Sequence, residues 1–365
     1  MDETFTIFNV VRILTVATLS FFVASILTPL WMKVLQKYFA RGKQISREGA
    51  PVFNALHSKK EGTPTMGGFV VWFTAVAITL LFWGLHFTVD GFWSRMNFLV
   101  RSETYLPLGF LIVAGLVGMA DDIIGIRRRG GFGMKQRMLL YTLVALIGAW
   151  WFVVKLGYDA INIPFMGDVV IGPLWYGLFF VFVIVATAFS SNETDGLDGL
   201  VGGTLMTMLA AYAGIAFDQG HMDLVVFLAA LIGALIAFLW FNIYPARFFM
   251  GDTGVMALGF TVGVVAMLTN TPLLLPVIGI VLVMESLSVI VQMTSKKLRG
   301  KKIFISTPIH HHFEALGWHE TQITMRFWMV SAIGSIVGLA LLLPDSILPP
   351  LNGAVLQDLM RTIFR

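Results

Sequence analysis

Repeated apolar runs constrain this chain more than any other feature. Most cover roughly 17–23 residues, long enough to cross a ~30 Å hydrocarbon layer as a helix. Ten such spans are expected, at about residues 13–37, 67–88, 105–124, 138–156, 173–191, 198–217, 223–242, 255–271, 273–295 and 327–344. Inside lipid every backbone polar group needs an internal partner, which leaves helices or a closed barrel, and runs this long select helices. The fold class expected is therefore all-α, a polytopic integral membrane protein. Residues 1–344 would form a single ten-helix transmembrane domain and 345–365 an extracytoplasmic tail. Only 13% of residues are charged, against about 25% in soluble domains, which excludes an ordinary water-soluble core. Cysteine is absent, which excludes disulfides and thiolate chemistry. The first run follows Arg12 and outlasts a signal-peptide core, so it reads as a first span.

The basic residues test the span count. Nineteen of the 25 Lys and Arg fall on one face of the ten-span arrangement, in the stretches 33–66, 120–137 and 296–326 together with Arg247. Arg12, Arg95, Arg101, Lys155, Arg361 and Arg365 fall on the other. By the positive-inside rule the rich face is cytoplasmic, and an even span count leaves both termini outside. On the outer face, 157–172 has the alternation of a small hairpin. Val355, Leu356, Leu359, Met360 and Ile363 have the spacing of an interfacial helix.

The notable polar clusters all fall on the basic face. Gly62-Thr63-Pro64-Thr65-Met66-Gly67-Gly68 opens the second span behind Lys60, where backbone amides and a lysine suit an anion; a capped helix behind a basic loop reads equally well. Asp121-Asp122 ends the third span beside Arg127, Arg128, Arg129, Lys135 and Arg137. Two carboxylates near cations can hold Mg²⁺ while the cations take phosphate oxygens; positive-inside charge alone accounts for most of the arginines. Asn192-Glu193-Thr194-Asp195-Gly196-Leu197-Asp198-Gly199 lies between the fifth and sixth spans. Ionisable groups there are costly, which favours function over packing. Asp252, between Gly251 and Thr253-Gly254, supplies either a further oxygen ligand or a helix cap. His310-His311-His312 lack the spacing of a zinc protease site and suit pyrophosphate binding or leaving-group assistance.

Taken together, GTPTMGG (62–68), Asp121-Asp122, TDGLDGL (194–200), FMGDTG (249–254) and PIHHHFE (308–314) resemble the polyprenyl-phosphate N-acetylhexosamine-1-phosphate transferase superfamily over residues 57–330. The triple histidine, with FLWFNIYPA (238–246) and ESLSVIVQ (285–292), is similar to its peptidoglycan branch. That resemblance implies a ten-helix catalytic bundle in the bacterial inner membrane with its site facing the cytoplasm. It implies transfer of phospho-MurNAc-pentapeptide from UDP-MurNAc-pentapeptide to undecaprenyl phosphate, giving lipid I and UMP with Mg²⁺. It further implies Asp252 as the Mg²⁺ ligand, with Asp121 and Asp122 beside it positioning or deprotonating the lipid phosphate. Lys60, Thr63, Lys135, Asn192, Asp195 and Asp198 would line the nucleotide and phosphate site, and His310, His311 and His312 would meet the diphosphate or sugar. The expected partners are the UDP-sugar, undecaprenyl phosphate and membrane lipid, with no nucleic acid; a homodimer is compatible. The chain departs from the family pattern at Gly125 and Arg137, where lysines are usual, and in its short run before Thr194. The rivals are a UDP-GlcNAc transferase of the same chemistry and, from another class, a secondary transporter, whose ionisable groups would gather at mid-membrane.

Overall fold

A computed structural model describes residues 3–39, 60, 62–101, 103–128 and 130–347. The expected tail helix, and the basic residues at 41, 43, 47, 59 and 129, lie outside the described residues. The helices are α1 (Glu3–Tyr38), α2 (Phe69–Thr88), α3 (Tyr105–Arg128), α4 (Met134–Trp150), α5 (Pro173–Thr194), α6 (Leu200–Asp218), α7 (Met222–Asn242), α8 (Gly251–Leu268), α9 (Leu275–Ile278), α10 (Ile280–Arg299), α11 (Ile309–Ala315) and α12 (Glu320–Ile347). Between α4 and α5 lies the expected hairpin, β1 (Ala160–Ile163) antiparallel to β2 (Gly167–Val170), with Ile161 opposite Val169.

Nine of these helices, among the described residues, are long and apolar enough to cross a membrane. The exception is the passage expected at 273–295. Pro276 stands in the first turn of α9, and the chain breaks at Gly279 before α10 resumes. α10 also carries Glu285, Lys296, Lys297 and Arg299, so one face is polar. The break does not change the path: α8 leaves the bundle at one end and α10 returns the chain to the other, where α12 begins. Four helices begin several residues earlier than the apolar runs suggest, α1 at Glu3, α4 at Met134, α8 at Gly251 and α12 at Glu320, and the last two carry an acid in the first turn. Hydropathy discounts acidic first turns, whereas a helix N-terminus favours them.

Helix α8 is the axis of the bundle. All its residues from Gly251 to Leu268 are buried, packed chiefly against α3 and α5, with α6 and α2 alongside. Close approach demands glycine here: a Cβ at Gly118 of α3 would lie 2.1 Å from the Asp252 carbonyl oxygen. Outward-facing side chains are apolar, with Phe22, Trp240, Met329 and Ile336 exposed. In water this surface would aggregate; in a bilayer it meets lipid tails of its own polarity.

Candidate active site

Alternating helix directions bring the ends of α3, α5, α7 and α10 together with the starts of α2, α4, α6, α8 and α12. Every sequence motif that carries polar chemistry therefore reaches one end of the bundle. Asp121 near the end of α3 and Asp252 in the first turn of α8 are 1% and 4% exposed. Both face the same nitrogen, Arg137 Nη2 on α4, at 2.8 Å from Asp121 Oδ2 and 3.0 Å from Asp252 Oδ2. Arg137 Nη1 donates to Asn192 Oδ1 (3.1 Å), and Asn192 Nδ2 donates to Asp252 Oδ1 (2.5 Å). The Phe132 amide donates to Asp121 Oδ1 at 2.5 Å. Four helices thus contribute to one cluster in which a guanidinium neutralises two buried carboxylates. The planar fork of Arg137 lets it span both carboxylates and the amide.

Asp122 behaves differently from its neighbour. Its Oδ2 accepts from the Thr253 amide (2.9 Å) and hydroxyl (2.8 Å), and its Oδ1 accepts from Thr65 Oγ1 (3.4 Å). It ties α3 to α8 and to the loop before α2. Gly251 makes room, with a positive φ of 71° and a position where any Cβ would lie 2.6 Å from Asp122 Oδ2. The loop amides of Gly67 and Gly68, expected to be free for an anion, donate instead to the carbonyls of Phe249 (2.8 Å) and Met250 (2.9 Å). Buried amides take the nearest permanent acceptor, and here the FMGDTG segment supplies it.

A second cluster lies on the other side of the same end. Lys60 Nζ is held by Asp198 Oδ1 (2.7 Å) and by a short contact to Glu320 Oε1, and stands 5.9 Å from the centre of the Phe249 ring. Burial alone would pull the Lys60 amine down, but Glu320 and Asp198 outweigh it and hold it above its ordinary 10.5. Asp198 Oδ2 accepts from the Ala246 amide (2.9 Å), and Asn242 Oδ1 accepts from the Gly199 amide (3.1 Å). Thr63 is half-buried in the same loop, its amide donating to the Lys60 carbonyl (3.2 Å). Asp195 is half-buried at the turn after α5.

The three histidines diverge. His310 is fully buried, with Nδ1 2.9 Å from Glu285 Oε2 of α10. A Cβ on Gly196 would lie 2.0 Å from His310 Nε2, so this ring lies flush against the TDGLDGL loop. His311 pairs with Glu314 at 2.6 Å, and His312 Nδ1 accepts from the Ile305 amide at 3.3 Å. The contacts of His310 join it to the ESLSVIVQ and TDGLDGL segments. Lys135 is exposed on the first turn of α4, outside the clusters described. Glu285 and Glu320 carry no site signal in the sequence, and Arg137 reads there only as one of several cations beside Asp121-Asp122. An acid at a helix start or a base near a membrane face reads as capping or orientation until its partner is seen.

Among the described residues no three His, Asp or Glu side chains converge into a ready-made cation cage. Asp121 and Asp252 nevertheless present hard oxygen donors to a common point. This suits Mg²⁺, which takes one or two carboxylates and completes its shell with water and substrate phosphates.

Long apolar helices that collect carboxylates, cations and amides at one end define a polytopic membrane protein with a polar site at that end. Residues 105–270 match the model of Glycosyl transferase family 4. The phospho-N-acetylmuramoyl-pentapeptide-transferase of Geobacillus thermodenitrificans is 38% identical over 332 residues, covering 88% of this chain and 94% of its own. That of Clostridium perfringens is 37% identical over 331 residues, covering 90% of this chain and 98% of its own. The chain belongs to the phospho-N-acetylmuramoyl-pentapeptide-transferase family.

Proposed function

We propose that this protein transfers phospho-MurNAc-pentapeptide from UDP-MurNAc-pentapeptide to undecaprenyl phosphate, yielding lipid I and UMP. The observation that carries this reading is the Asp121–Arg137–Asp252–Asn192 cluster, assembled at the end of the bundle that also holds Lys60, Asp198 and His310. An oxygen of the lipid phosphate attacks the sugar-bearing phosphorus of the diphosphate. As that P–O bond forms, the bond to the bridging oxygen breaks and UMP departs with the electron pair. Both reactants are anionic, so the site must supply positive charge and fixed donors where charge develops. Arg137 and Lys60 supply the cations. Asp122, with its oxygens occupied by Thr65 and Thr253, acts as the strut that holds α3, α8 and the 62–68 loop in register.

We assign Mg²⁺ as the cofactor, held by Asp252 and Asp121; when bound it would neutralise diphosphate oxygens and polarise the attacked phosphorus. Asp121, beside the cluster, is the better placed of the pair to orient or deprotonate the lipid phosphate. The polyprenyl tail suits the apolar groove of ≈ 500 Å³ between α9–α10 and α12, lined by Pro276, Val277, Ile280, Val283, Ile333 and Val337. The basic residues that cluster at the site's end of the bundle support a cytoplasm-facing site in the bacterial inner membrane, with residues 1–344 acting as one catalytic unit.

UMP release in detergent tests the reading. Wild type should release UMP from UDP-MurNAc-pentapeptide only with undecaprenyl phosphate present, EDTA should stop it, and added Mg²⁺ should restore it. Asp121→Asn and Asp252→Asn should each reduce turnover by about 10²–10³-fold. Turnover of UDP-GlcNAc alone would overturn the substrate assignment, and a trapped phospho-enzyme would overturn direct attack.

A further inference from the structure

The first turns of α12 belong to none of the sequence motifs, yet they build one wall of the Lys60–Asp198 cluster. Glu320 Oε1 accepts both from Lys60 Nζ and from the Asp198 amide, the latter at 2.6 Å. One turn on, Thr324 Oγ1 donates to the Asp198 carbonyl (3.1 Å), and a further turn on Trp328 Nε1 donates to the Gly199 carbonyl (3.1 Å). These residues recur at i, i+4 and i+8, so they form a single stripe along the helix. The stripe grips successive backbone groups of the Asp198–Gly199 turn, and Trp328 lies so close to α6 that a Cβ on Gly203 would come within 2.1 Å of its ring.

An acid in a helix's first turn ordinarily serves the helix dipole from the surface. Glu320 is buried instead, its carboxylate directed at another element's amide and ammonium. Without it, the Asp198 amide would lose its acceptor and Lys60 would keep only Asp198 as a carboxylate partner among the described residues.

We propose that Glu320 is a positioning residue for the UDP-sugar subsite: it sets Lys60 and the Asp198 backbone in the geometry that receives the nucleotide. Thr324 and Trp328 hold the same turn from behind. This inference rests on the proposed reaction, in which Lys60 and Asp198 line the nucleotide and phosphate site. It assigns Glu320 no contact with the reacting atoms.

The test is steady-state UMP release by the full-length protein with each substrate varied in turn, accompanied by thermal unfolding in detergent. Glu320→Ala should raise KM for UDP-MurNAc-pentapeptide by roughly tenfold or more, as expected for losing hydrogen bonds to a charged group. KM for undecaprenyl phosphate should stay unchanged. Glu320→Gln keeps an acceptor for the Asp198 amide without the charge, and should give a smaller rise of roughly threefold, again on the UDP-sugar alone. If Glu320→Ala does not fold, the selective rise in Glu320→Gln decides. Equal rises for both substrates, no rise for either, or a Gln variant no better than a folded Ala variant would overturn the assignment. Wild-type protein that releases no UMP would sink the proposed reaction, and this inference with it. Wild-type turnover with unselective variants would sink the inference alone.

Discussion

At the scale of single residues, Arg137 carries more than its sequence position suggests. It stands in a run of basic residues that reads as ordinary loop charge, yet its side chain is folded inward between Asp121 and Asp252. Removing the cation from a buried pair leaves uncompensated charge, at a cost of ~3–5 kcal/mol. Arg137→Met should therefore lower the melting temperature in detergent markedly, with part of the loss recovered by added Mg²⁺ if the two carboxylates bind it. Arg137→Lys keeps the charge without the fork and should retain more stability. An Arg137→Met protein as stable as wild type would refute its role as the neutralising cation. Adjacent residues also separate at this scale: Asp121 faces the guanidinium, whereas Asp122 is taken up by two threonines. Side-chain direction on a helix turns by about 100° per residue, so neighbours in sequence need not share a task.

Among elements, the contact that positions the cluster is that of α3 against α8. Gly118 lets α3 reach the backbone of α8 at Asp252, so the two carboxylates approach each other only as closely as these helices do. Gly118→Ala would place a methyl 2.1 Å from the Asp252 carbonyl oxygen. Backbone cannot yield as a flexible side chain does, and overpacking of this kind costs about 1–3 kcal/mol. The expected outcome is a lowered melting temperature together with a fall in kcat. Full turnover in Gly118→Ala would show that the spacing of these helices does not govern the site. The hydropathy pattern located both helices within a few residues, but it carries no information on which pairs touch. The passage broken at Gly279 marks the limit of that pattern: α10 buries Glu285 on one face, and a polar face lowers the average that detects spans.

Across the whole molecule, the polar groups divide between two ends with different work. The end opposite the site is stapled by Arg12 of α1, which pairs with Asp223 of α7 at 2.5 Å and donates to the Asn97 carbonyl at 2.9 Å. Beside it, Glu103 meets His221 at 3.4 Å and accepts from the Leu224 amide at 3.2 Å. Burial raises the Glu103 carboxyl, but the His221 and Leu224 hydrogen bonds outweigh it and hold it below its ordinary 4.5. The hydrogen bond to Glu103 holds His221 above its ordinary 6.5, against partial burial. The Glu103 contribution is therefore present above pH 4.5 and lost as pH falls through its lowered value; the His221 contribution is present below pH 6.5 and lost as pH rises through its raised value. Melting temperature in detergent should include a contribution from this pair that is greatest between those limits, and His221→Asn should remove it. Because the imidazole is substantially exposed, the effect should be small. A wild-type minus His221→Asn difference that does not change across pH 5–8 would contradict it.

Much of this protein was legible along the chain, for a physical reason. A bilayer demands long apolar helices with internally paired backbones, so the spans follow from composition and length, and the basic residues sort the loops between two faces. Direction reverses with each passage, which is why Asp121, Asn192, Asp198, Asp252 and His310, distant in sequence, could be assigned to one end before any coordinates. Motif order then carried the family. What the chain alone left open was partnership. That Arg137 spans Asp121 and Asp252, that the Gly67 and Gly68 amides are taken by Phe249 and Met250, and that Glu285 and Glu320 reach His310 and Lys60 are all long-range facts. They depend on how closely α3, α8, α10 and α12 pack and on how each is rotated about its axis. Ionisable side chains buried in such a bundle are stabilised only by specific partners, and only tertiary packing decides which partners those are.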